Sequence, residues 1–105
     1  MQVTIEELKE LIQSRGGTAS HSLELGKSYL IRTVTLYYVG RLVAVTDSDL
    51  VLADAAWVAD TGRFANALRS GTLNEVEPFI GNAIVFRGGL IDATEWSGRL
   101  PADQK

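Results

Sequence analysis

Residues 29–45 place the strongest constraint on this chain. They are dense in β-branched and aromatic side chains (Ile31, Val34, Tyr37, Tyr38, Val39, Val43 and Val45), types that suit a pleated, half-buried surface. A run of 17 residues exceeds the usual strand of about 3–10. The run therefore predicts two strands or one strongly bent ribbon, with the break at 35–37. Gly40 sits inside it, and a residue without Cβ lets a strand bend where a side chain would crowd the interior. Strand-forming sequence that must fold back within a 105-residue chain points to a small, curved sheet.

The flanking segments fit that reading. Thr4 with Glu7 fits a capping box, and Val3 with Leu8 lies at staple spacing. Ile5, Leu8, Leu11 and Ile12 share one apolar face before Gly16-Gly17, so the spacing predicts a helix over 4–15. Asp47-Ser48-Asp49 marks a turn, and a third strand is expected over 50–58. Phe64, Ala67 and Leu68 predict a short helix or ordered loop within 61–70. Strand character returns over 74–79, 83–86 and 90–94, with Gly88-Gly89 read as a tight hairpin turn. Trp96 closes the apolar pattern ahead of a polar tail, 97–105. A helix followed by about five short strands predicts a mainly β domain, a strongly bent five-stranded barrel over about 27–96.

Composition narrows the chemistry. Ten basic and 13 acidic residues give a net charge of −3, which opposes non-specific attraction to nucleic acid or anionic membrane. The chain has no cysteine and one histidine, which excludes disulfides, thiolate catalysis and Cys- or His-cluster metal sites. The N-terminus lacks a signal-like apolar run, and no apolar stretch approaches the roughly 20 residues needed to span a bilayer. A cytoplasmic protein without a cofactor is the expectation. No phosphate-binding glycine loop or nucleophile elbow is present, so the reading is non-enzymatic.

Two pieces of the strand region resemble the Sm/LSm family, including its bacterial host-factor branch and phage-like members. The first is Gly40-Arg41-Leu42-Val43-Ala44-Val45-Thr46-Asp47-Ser48-Asp49-Leu50-Val51-Leu52, similar to the family's glycine-bearing second strand, turn and apolar third strand. The second is Ile84-Val85-Phe86-Arg87-Gly88-Gly89-Leu90-Ile91, similar to its apolar–Arg–Gly junction. The resemblance covers 3–96 in layout. It implies a helix-topped Sm-like (SH3-like) barrel whose copies join edge to edge into a ring of about five to seven subunits, or a stacked tube.

The resemblance also locates an RNA site, in which Arg87 is the retained arginine. The family's acidic position falls on Thr46, its stacking position on Ser48 and its asparagine on Asp49. Ser48 offers no ring, and Asp47, Asp49, Asp54 and Asp60 carry −4 with no base among them. Arg87, Gly88, Arg41 and Arg32 are the candidate RNA contacts, and Lys27, Arg32 and Arg41 give +3 over 27–46. That basic stretch reads either as a nucleic-acid groove or as an edge pairing with an acidic edge of the next subunit, and the second is favoured. Tyr37, Tyr38, Trp57 and Phe86 are candidate subunit-interface anchors. Asp47, Asp49 and Asp54 read as solvated turn charges rather than a cation site, and His21 as an ordinary polar residue. The expected partner is the chain itself, with nucleic acid disfavoured. An RNA-binding ring and a peptide-binding adaptor barrel are the alternatives.

Overall fold

The computed structural model describes residues 22–105. The predicted helix over 4–15 and His21 lie outside the described residues. Six antiparallel strands form one sheet: β1 (Ser28–Thr33), β2 (Tyr37–Val45), β3 (Asp49–Asp60), β4 (Glu75–Pro78), β5 (Ala83–Phe86) and β6 (Leu90–Glu95), with helix α1 (Phe64–Ser70) between β3 and β4. The order is β4-β3-β2-β1-β6, and β5 pairs with β3 off that path.

The 29–45 run divides as its length requires. Thr33 makes the break: its Oγ1 donates to the Leu36 carbonyl at 2.6 Å, and its N–H donates to the same oxygen at 2.9 Å. The strands number six where about five were expected, and β3, at 12 residues, pairs with β2 and is long enough to serve two further partners. Its first part, Asp49 to Leu52, pairs with β5, and its second, Ala56 to Asp60, pairs with β4. Between them the β2 register shifts from Val39↔Ala56 to Arg41↔Ala53. Asp54 lies in this irregularity with φ at 50°, a conformation that bends the bulged strand and raises its twist. Gly40 stands opposite, where a Cβ would lie 3.0 Å from both Leu52 Cβ and Ala55 Cβ. The sheet bends there, and it is not closed into a barrel.

The Arg87–Gly89 segment also differs from expectation. It is a 3₁₀ turn, and neither glycine has positive φ. The strands it joins do not pair with each other: β5 lies on β3, and β6 lies on β1. The turn carries the chain from one arm of the sheet to the other instead of closing a hairpin.

Both faces of the central strands are buried, which gives two cores. Tyr29, Ile31, Leu42, Leu50, Leu52, Ala55, Ala83 and Val85 form the first, inside the bend and beneath β5. Leu30, Val39, Ala56, Val58, Ala67, Leu73, Val76 and Trp96 form the second, on the opposite face. Strand alternation sends Tyr29 and Ile31 to one core and Leu30 to the other. Helix α1 covers the second core through Ala67 and ends on Gly71, which takes φ of 70° and donates its N–H to the Ala67 carbonyl at 2.8 Å. The tail closes it further, with Leu100 packed against the cluster. No helix among the described residues is long and apolar enough to cross a membrane.

Candidate functional site

The two motif pieces meet. Thr46 organises the first turn: its Oγ1 accepts the Asp49 N–H at 3.0 Å and donates to Asp49 Oδ1 at 2.9 Å, and its N–H reaches the Asp49 carbonyl at 2.9 Å. The Arg87 N–H then donates to the Ser48 carbonyl at 2.9 Å, so the 3₁₀ turn is fastened directly to the aspartate turn. Asp49 and Phe86 are register partners across β3 and β5. The juxtaposition has a loop pair's geometry, but the aspartate turn itself carries acids and no ring. Ser48 supplies a hydroxyl, Asp47 is exposed, and the half-buried Arg87 makes no ion pair among the described residues. Gly88 is exposed beside it.

The cations of the basic 27–46 stretch are engaged within the chain. Arg32 on β1 grips Asp92, its register partner on β6, through Nε to Oδ1 at 3.2 Å and through Nη2 to Oδ2. Arg41 on β2 meets Asp54 at 3.0 Å, and Lys27 meets Glu24 at 3.4 Å and Glu95 at 3.5 Å. The hydrogen bond to Glu24, followed by the charges of Glu24 and Glu95, holds the Lys27 ammonium above its ordinary pKa. The hydrogen bond to Asp92 and then its charge do the same for the Arg32 guanidinium. The acids that answer the basic 27–46 stretch therefore belong to the same chain. All these pairs are exposed, so solvent screening leaves each with little effect on stability. Their main effect is to neutralise the three cations, which face four carboxylates. Asp54 is drawn to Arg41 and away from Asp47 and Asp49. Among the described residues no three histidines or carboxylates converge as metal ligands.

Of the four aromatic anchors Tyr37 lies apart, while Tyr38 links Trp57 to Phe86. Tyr37 is half-buried at the second core, its ring 6.1 Å from that of Phe64, while Tyr38 packs on the first and stacks on Phe79 at 6.0 Å. Trp57, the register partner of Tyr38, meets Phe79 edge-on at 6.5 Å and stays 45% exposed. Phe86 is 69% exposed and Ile84 58% exposed. Both project from β5 while Ala83 and Val85 face the core. They line a groove of about 310 Å³ with Val34, Thr35, Tyr38 and Gly89. Among the described residues β5 pairs only with β3, so its outer edge is open beside this groove.

Ile84, Val34 and Phe79 escaped the sequence reading of this surface. A signal for Ile84 and Phe86 was available: Ala83–Phe86 is apolar on both faces, a pattern expected of a doubly covered strand. No family model, no curated protein and no solved structure matches this chain.

Proposed function

We propose that this chain is a non-enzymatic Sm-like subunit that joins copies of itself head to tail into a ring, or a stacked or tubular assembly, with a scaffolding role. The observation that carries the reading is the β5 edge, open among the described residues and flanked by exposed Ile84 and Phe86 and the groove beside Val34. An unpaired strand edge bordered by apolar side chains is a template for another strand. The outer side of β6, with exposed Ile91, supplies a second edge at the far end of the sheet order. Two different edges on one molecule make a heterologous contact, which repeats until the rotation closes. The ion pairs that neutralise Lys27, Arg32 and Arg41 favour this reading over a phosphate-binding groove.

Native mass determination tests it. The expected result is a multiple of the 11.4 kDa chain, reduced towards the monomer by Phe86→Glu. A monomer across micromolar concentrations overturns it. An RNA-binding ring is the second reading, supported by the fastening of Arg87 to the Ser48 turn. With no stacking ring at Ser48, oligo-U binding is expected no tighter than roughly 10 µM near physiological salt. Sub-micromolar anisotropy binding that disappears in Arg87→Ala makes RNA the function.

A further inference from the structure

The polar tail is irregular, and its Lys105 is seated on β4. The Val76 N–H donates to the Lys105 carbonyl at 3.0 Å, and the Lys105 N–H returns a bond to the Val76 carbonyl at 3.0 Å. This reciprocal pair adds the tail to the outer edge of β4, the mode by which extended peptides augment sheets. Upstream, Trp96 is buried and donates Nε1–H to the Arg99 carbonyl at 3.3 Å, Leu100 rests on the second core, and Gln104 Nε2 donates to Glu77 Oε1 at 3.0 Å.

Between these anchors the segment bridges open space. A cavity of about 280 Å³ lies on the side of Gly71, Leu73 and Val76, and one of about 490 Å³ on the side of Asp54, Ala55 and Phe79, with 99–102 forming a wall of both. The tail enters this path at a crossing of two glycines. A Cβ on Gly98 would lie 2.7 Å from Gly71 Cα, and one on Gly71 would lie 2.8 Å from Gly98 Cα. The two backbones cross in direct contact there, with the Trp96 ring 3.2 Å from the Gly98 Cβ position. Charge also suits the docking: β4 carries Glu75 and Glu77, while 97–105 carries Arg99 and Lys105 against Asp103.

We infer that the β4 edge and its adjoining groove form a docking site for an extended segment, and that in the assembled protein the segment is residues 97–105 of a second copy. Every group that seats the tail is encoded in this sequence, so a tail from another copy remakes each contact that its own tail gives up. Exchange of an identical element costs little for that reason. The inference rests on the assembly proposed above only in that assembly brings a second tail within reach. The exchange would tie neighbouring subunits together at a place remote from the β5 edge in the sheet order.

The absence of native cysteine permits a direct test. Chains carrying Glu77→Cys are mixed with chains carrying Gln104→Cys, both exposed positions, and oxidised. A disulfide between position 77 of one chain and position 104 of the other, in excess over both like-with-like links, is the expected result. A mixed link no more abundant than a statistical mixture overturns the exchange. Native mass of the same samples separates the two readings. An oligomer lacking excess mixed link refutes the exchange and keeps the assembly, whereas excess mixed link in particles no larger than a swapped pair refutes the ring and keeps the exchange. Should either variant unfold, a labelled peptide of residues 96–105 added to the unmodified chain replaces it. Saturable binding competed by unlabelled peptide supports the site, and no binding at millimolar peptide overturns it.

Discussion

The two cores share strands and differ in how they are sealed. The first is enclosed by the bent sheet itself, with β5 paired to β3 through four consecutive register positions from Asp49 to Leu52. The second has the same β1–β3 strands as its floor, but its roof is a seven-residue helix and a tail. Ladder-paired walls open together, whereas a short helix and a strap can lift separately, since opening free energies vary across one structure. The sheet side should therefore respond to mutation as a whole, and the roofed side locally.

Leu52→Ala gives the largest effect expected on this comparison. Leu52 is fully buried in the first core, and such truncations cost about 2–5 kcal/mol. Chemical denaturation should lose both cores in one transition. A surviving second core would show that the two fold independently. A pair of glycine substitutions comes next. Gly40→Val places methyl groups against Leu52 and Ala55, where even a Cβ would sit 3.0 Å away, and overpacking of this kind costs about 1–3 kcal/mol. Gly98→Ala creates a closer clash on paper, at 2.7 Å, yet the strap can move aside. Hydrogen exchange should then show lost protection at Val76 and Lys105 with protection at Leu30 and Val39 retained. Uniform loss in both variants would erase the distinction.

The smallest effect lies in the ion pairs. Lys27 has its pKa raised in the folded chain above the ordinary 10.5. Its contribution to stability is thus fully present below that value and is lost as pH climbs through the raised value. Lys27→Met should narrow its gap from the parent protein in thermal melts above that pH, and a gap constant throughout would remove Glu24 and Glu95 from the explanation.

How much of this was legible in the sequence depended on the range of the interaction. Ala83–Phe86 and the short helix near Phe64 emerged from local patterns. The Thr33 turn was located within a few residues, although a hydroxyl and not glycine or asparagine makes it. The Gly88-Gly89 pair was read as a hairpin because turn chemistry is local. Whether the flanking strands pair with each other is decided by β1 and β3, far away in the chain. The same limit hid the state of Arg32, whose partner Asp92 is 60 residues distant. The 97–105 segment looked solvated because one apolar residue, Leu100, carries its packing, and its main-chain bonds to Val76 leave no trace in side-chain type.

Burial on both faces has a consequence for how this sheet finds its alignment. In a sheet with one wet face, a one-residue slip sends the apolar set into water, and that penalty fixes the pairing. Tyr29, Leu30 and Ile31 are all buried, so a one-residue slip of β1 exchanges the faces of two of them and moves only the residue at one end of the run to a wetter site. Alternation therefore discriminates poorly between alignments in the middle of this molecule. The irregularities have to act as index marks: Gly40 opposite Ala55, Asp54 with its positive φ, and the offset between Arg32 and Thr33 against β6. Smoothing them into regular strands would preserve hydrophobicity and erase the marks that distinguish one alignment from the next.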